Sequence, residues 1–135
     1  MKKITVTDIL LLLLSLALCI GIKVIFHACG PKEDGGFMAC HWAEQAVFAA
    51  SIGMAGVSCI RLLLSRREKA GAALAVAVMA AVTAFLPGVF IRLCMMQEMR
   101  CHAVMRPAVL LLCIAVAAAG VTDFVLSRKD DRHDA

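Results

Sequence analysis

The sequence predicts an all-α fold: an integral membrane four-helix bundle made of two tandem helix–Cys-loop–helix hairpins. Three observations predict it. Of 135 residues, 62% are hydrophobic and only 18% are charged, whereas a soluble domain is about a quarter charged and under half apolar. Four apolar stretches each approach the roughly 20 residues that cross about 30 Å of hydrocarbon at 1.5 Å per residue. Two polar loops repeat one pattern: Met38-x-Cys40-His41 closes a loop opened by Cys29, and Met99-x-Cys101-His102 closes a loop opened by Cys94.

The first span is expected from about Ile9 to Phe26. A basic start and the run LSLALC resemble a secretory signal, but Leu18 precedes Cys19 and the apolar run continues to Phe26. The expectation is a retained helix that also starts insertion. PKEDGG (31–36) is a turn by its proline, charges and paired glycines. The second span is expected from about Trp42 to Leu64, with Trp42 as an interfacial aromatic. Glu44 lies in its first turn, where an acid suits the helix dipole, and is expected to face the layer of the two loops.

The third span is expected from about Gly71 to Ile91, with a kink at Pro87-Gly88. The fourth runs from about Ala103 to Leu126, with Pro107 in the first turn, where its missing N–H does least harm. The four spans consume most of the chain, so residues 1–135 are read as one membrane domain with repeat units at about 1–68 and 69–135. AGVSCIRLLLSR (55–66) and AGVTDFVLSR (119–128) support the duplication. Small residues at spacing four, such as Ala46/Ala50, Ala73/Ala77/Ala81 and Ala115/Ala119, let helices approach closely in lipid. They serve a compact bundle or the helices of a partner.

Charge sets the expected orientation. Lys2, Lys3, Arg66, Arg67, Lys69, Arg128, Lys129 and Arg132 fall at the N-terminus, the middle loop and the tail. The Cys/His loops hold fewer basic residues: Lys32, Arg92, Arg100 and Arg106. The positive-inside rule then puts both termini in the cytoplasm and both Cys/His loops outside. The formal charge of +4 reports this orientation, not nucleic-acid binding. Lys23 and Arg92 are expected to snorkel to the outer surface, and Arg61–Asp123 is expected to pair as structural glue near the inner one.

Seven cysteines divide into Cys19, Cys59 and Cys113 within spans, and Cys29, Cys40, Cys94 and Cys101 in the loops. Three readings of the loops follow. In the first, two structural disulfides form within the loops, Cys29–Cys40 and Cys94–Cys101, each contributing roughly 2–3 kcal/mol by chain entropy. That leaves the repeated Met and His unexplained. In the second, Met38, Met99, Cys40, Cys101, His41 and His102 ligate a soft or borderline metal, copper or iron, or a non-covalent haem, with Glu44, Trp42 and Glu98 around them. Met95 and Met96 add sulfur. CxxCH is absent, which disfavours covalent haem attachment. In the third, the loops exchange disulfides. Four spans with paired loop cysteines resemble the plan of bacterial quinone-linked disulfide-generating enzymes, but those use CxxC, and here ten and six residues intervene. No other catalytic set is present. A small scaffold subunit beside a transporter permease, or a homo-oligomer, is compatible with each.

FHACGPKEDGGFMACHW (26–42) and LPGVFIRLCMMQEMRCHAVMRPA (86–108) resemble the paired loop motifs of a bacterial membrane-protein family, domain of unknown function 4418. The resemblance runs from about Ile25 to Ala108. It rests on Cys29, Met38, Cys40, His41 and Trp42, then Pro87, Cys94, Met99, Cys101, His102 and Pro107. It implies a small multi-pass protein of the bacterial cytoplasmic membrane and brings no activity. The leading expectation is an outward-facing metal site on an accessory membrane subunit.

Overall fold

Burial of apolar helix faces against one another, rather than any sheet, organises the chain. The computed structural model describes residues 4–134 except Gln97, so Lys2 and Lys3 lie outside the described residues. Four helices run in order: α1 (Val6–Val24), α2 (Ala39–Arg61), α3 (Arg66–Phe85) and α4 (Arg106–His133), the last entered through a π-helical turn, Cys101–Met105. All four are long and apolar enough to cross a membrane. The core is drawn from every helix, including Leu11, Leu18, Val47, Met54, Val76, Ala80, Val109 and Val116. Large side chains such as Leu13, Ile20, Val78, Leu111 and Ile114 stay exposed, as a lipid-facing surface requires.

Helix ends follow local chemistry. Asp8 accepts from the Thr5 N–H at 3.1 Å, and Glu68 accepts from the Ser65 N–H at 3.0 Å, each closing a capping box. A four-residue turn between α2 and α3 forces them antiparallel. Gly35, at φ 77°, completes the PKEDGG turn, with Gly35 N–H to Lys32 O at 2.9 Å.

Three boundaries differ from expectation. Helix α2 begins at Ala39, so Cys40 and His41 belong to its first turn rather than to the loop. Helix α3 ends at Phe85, so Pro87-Gly88 terminates it rather than kinking it; Gly88 takes φ 100°, a conformation that disfavours a side chain. Cys101 and His102 also lie on helical backbone, because the fourth helix starts early in a π turn. Pro107 follows that turn directly. With no N–H to give, it cannot sustain the α-ladder at this point, and Arg106 N–H reaches back to Cys101 O instead.

At the end of the bundle that carries the termini and the α2–α3 turn, four charges meet, one per helix. Arg61 on α2 pairs with Asp123 on α4, as expected, and with Asp8 on α1 at 2.9 Å. Lys69 on α3 reaches Asp8 at 2.9 Å. Thr7 donates to Asp123 at 2.6 Å. All four ionic side chains are buried, so their formal charges cancel inside the protein.

Candidate functional site

At the opposite end the two Cys-loops close over the core. Loop 1 carries Cys29 and hands the chain to α2, whose first turn brings Cys40. Loop 2 carries Cys94, and the π turn brings Cys101. The four sulfurs converge. Cys29 Sγ lies 3.2 Å from Cys101 Sγ, and Cys40 Sγ lies 3.0 Å from Cys94 Sγ. Cys101 Sγ is 3.8 Å from Cys94 Sγ, which joins the two pairs. The Cys29, Cys40 and Cys101 sulfurs are mutually within 4.8 Å.

This arrangement differs from the expected within-loop pairing. The two shortest contacts are between hairpins, not within one, and all seven cysteines are free thiols. The physical reason is the bundle. Packing of both hairpins on one core superimposes their loops, so sequence-distant thiols meet while each loop spreads its own two cysteines between different partners. Cys40 and Cys101 are fully buried, whereas Cys29 and Cys94 are half-buried. Burial would raise the Cys94 pKa, but hydrogen bonds from the Cys40 and Cys101 thiols outweigh that and hold it below the usual thiol value of 9.0.

The other expected ligands take different places. Met38, the residue before α2, puts its sulfur 3.6 Å from Cys94 Sγ. Met99 is half-buried beside the cluster. His102 spends Nε2 on the Cys94 carbonyl, at 2.6 Å, which ties the Cys94 segment to the π turn. His41 stacks on Phe37, with ring centres 4.2 Å apart, and meets Trp42 edge-on at 5.9 Å. Among the described residues, neither histidine joins the group of metal-type donors within 4.8 Å; the donors there are cysteines. Trp42 and Glu98 are exposed.

Glu44 supports the site from beneath. It is buried and accepts from Lys23 Nζ at 2.8 Å and from the Ala28 N–H at 2.8 Å. Lys23 therefore pairs across helices instead of snorkelling alone. Because Ala28 directly precedes Cys29, Glu44 fixes the backbone that presents that thiol. Opposite charges one turn below the two ends of loop 1 were the sequence signal for this clamp.

Four sulfurs at these separations can do two things. A tetrahedral four-sulfur shell with bonds of about 2.3 Å has sulfur–sulfur edges of about 3.8 Å. Cys94–Cys101 is already at 3.8 Å, the two shorter contacts open by less than about an ångström, and Cys94 must move toward Cys29, because it lies outside the group of sulfurs mutually within 4.8 Å. Loss of hydrogen instead closes Cys29–Cys101 and Cys40–Cys94 into disulfides of about 2.05 Å.

The family described as Domain of unknown function (DUF4418) matches residues 11–126, and the chain belongs to it. The match takes in all four cysteines and the greater part of the bundle. No curated protein and no solved structure matches the chain.

Proposed function

Because the family's description assigns no activity, we propose from the residues themselves that the protein is a membrane metal-binding subunit holding one soft ion among Cys29, Cys40, Cys94 and Cys101. The observation that supports this reading is the gathering of three thiols from both hairpins, Cys29, Cys40 and Cys101, within 4.8 Å of one another, with Cys94 beside them in contact with Cys40 and Cys101. Sulfur-only donors in tetrahedral disposition favour zinc, copper(I) or a single iron. The lowered Cys94 pKa makes that thiol readily ionised, and an arriving cation displaces the thiol protons into water. His102 and Glu44 act as positioning residues: one holds the Cys94 carbonyl, the other the Ala28 N–H. This moves the ligand role from His41, His102, Met38 and Met99 to Cys29 and Cys94.

The charge bias argues that the loop end faces outward. Arg66, Arg67, Arg128, Lys129 and Arg132 lie at the end carrying the termini, against Lys32, Arg92, Arg100 and Arg106 at the loop end. An outward thiol cluster on a bundle of four membrane-length helices suits capture of an ion and its transfer to a partner in the same membrane.

The test is anaerobic purification in reduced form, followed by elemental analysis and X-ray absorption after loading with zinc or copper(I). One ion per chain in an all-sulfur shell is expected, with loss of binding in Cys94→Ser and Cys101→Ser and retention in Cys59→Ser. No stoichiometric uptake, or nitrogen ligands in the shell, overturns the reading. A second reading, thiol–disulfide exchange, is favoured by one observation: the contacts within Cys29–Cys101 and Cys40–Cys94 are shorter than the contact between the pairs. A cysteine pair that cycles in cells when respiration is blocked, seen by thiol-specific gel shift, would support it.

A further inference from the structure

Beside the thiol cluster, loops 1 and 2 enclose an open cleft of about 340 Å³ whose wall is unusually rich in sulfur. Met38, Met95, Met96 and Met99 line it, together with Cys94. Cys94 is therefore both a wall of the cleft and a member of the cluster. Its sulfur touches Met38 Sδ at 3.6 Å on one side and Cys40 Sγ at 3.0 Å on the other. Exposure falls along the series: Met95 is fully exposed, Met96 largely so, Met99 and Cys94 are half-buried, and Cys40 and Cys101 are fully buried.

An exposed methionine leaves apolar surface in water and gains nothing in packing. Three methionines within five residues at the mouth of a thiol site have a use if their thioethers bind something. A thioether is a soft donor that suits copper(I) or the analogous silver(I), and it is not among the ordinary donors to zinc. It carries no proton to displace and no charge, so it binds more weakly than thiolate. We infer that the methionine cleft is the loading route of the four-cysteine site and selects a monovalent soft ion, copper(I), over zinc. The ion passes from Met95 and Met96 through Met99 and Met38 to Cys94, then into the buried thiols. Copper remains in the +1 state throughout; thioether bonds break as thiolate bonds form, and the thiol protons leave to water. The inference rests on the four-thiolate reading.

The experiment uses the full chain, reduced and anaerobic, in detergent or nanodiscs. Copper(I), supplied as its acetonitrile complex, or zinc is mixed in a stopped-flow instrument and the thiolate-to-metal absorption is followed. Wild type is compared with Met95→Leu/Met96→Leu/Met99→Leu, a volume-conserving change that the fold tolerates. The expected result is copper(I) loading slowed by about tenfold, with the same amount bound, the same resistance to a chelator and an unchanged rate for zinc. Equal copper(I) rates in the two proteins overturn the inference while leaving the thiol site standing. Equal slowing of zinc also overturns it, since the methionines then only shape the loop. Wild type that takes up neither ion overturns the thiol site and this inference with it.

Discussion

Oxidation of cysteine-pair variants tests the site at its most specific point. Four variants each keep two of the loop cysteines, with the other two changed to Ser: Cys29/Cys101, Cys40/Cys94, Cys29/Cys40 and Cys94/Cys101. Closing a loop in a flexible chain becomes harder as the 3/2 power of its length. The cross-hairpin partners are 72 and 54 positions apart, whereas Cys94 and Cys101 are 7 apart and ten residues intervene between Cys29 and Cys40. An unfolded chain therefore favours the within-loop bonds by roughly ten- to thirtyfold. In the folded bundle the cross-hairpin sulfurs, at 3.2 and 3.0 Å, must close only about 1 Å to reach bonding distance. The order of rates should thus reverse. Each variant is treated with diamide in mild detergent and again in denaturing detergent, and bond formation is read by gel mobility and peptide mass. Cross-hairpin bonds should form first in the folded protein and last in the unfolded one. Within-loop bonds that form faster in both conditions would refute the convergence of the loops and the metal site built on it.

At the other end of the bundle, Arg61→Met leaves Asp8 and Asp123 facing Lys69 alone, at a cost of about 3–5 kcal/mol; Arg61→Met/Asp123→Asn restores neutrality and should recover much of it in thermal unfolding followed by circular dichroism. Glu44→Ala removes a charged acceptor from Ala28 N–H and Lys23; it should destabilise by about 2 kcal/mol and speed alkylation of Cys29. Gly120→Ala should destabilise by about 1–3 kcal/mol despite better helix propensity, because its Cβ meets Ala73 O at 2.8 Å and Ala77 Cβ at 3.0 Å. Gly56→Ala, with nothing within 4 Å, should be neutral or stabilising in the same melts. The lowered Cys94 pKa means that its thiolate survives to lower pH than an ordinary thiol's. Metal-free protein titrated with iodoacetamide should lose Cys94 first, at a pH below 9.0. The same sign makes the thiolate's stabilisation present at high pH and lost as pH falls through the lowered value.

The bundle itself was legible because hydrophobic length and loop repetition are local properties. Helix count and the Arg61–Asp123 pair follow from composition and charge placement, whereas the spacing-four alanines fit a bundle or a partner equally, and only the fold seats α4 on Ala73 and Ala77. Thiol pairing was not legible, for a physical reason: loop entropy ranks partners by sequence separation, whereas helix packing ranks them by position in the bundle, and the two rankings oppose each other here. Histidine repetition pointed to ligands, but a ring that follows a cysteine on a helical turn sits at a different angle from it. One ring therefore ties down a carbonyl while the other stacks on Phe37. Lys69 counted in sequence as one more cytoplasmic charge. Only the fold shows it buried against Asp8. Gly120 was passed over because alanine, not glycine, set the small-residue pattern.

Under the proposed metal reading, the two polar ends of the bundle divide the work between stability and exchange. Lipid gives helices no hydrophobic reason to associate, so packing and polar contacts must hold them. The Asp8–Arg61–Lys69–Asp123 knot takes one residue from every helix and locks one end without the thiols. A small metal-dependent domain unfolds when its ion leaves, because binding energy is its folding energy. Here the fold has an anchor at the far end of every helix, so the proposed site could fill and discharge without unfolding the bundle. Metal removal should therefore leave helicity intact and shift the melting temperature only slightly in the wild type. In an Arg61→Met background, where that anchor is broken, the same ion should raise it markedly. Equal shifts in the two backgrounds would show that the ends are not independent supports, and that the ion is structural rather than cargo.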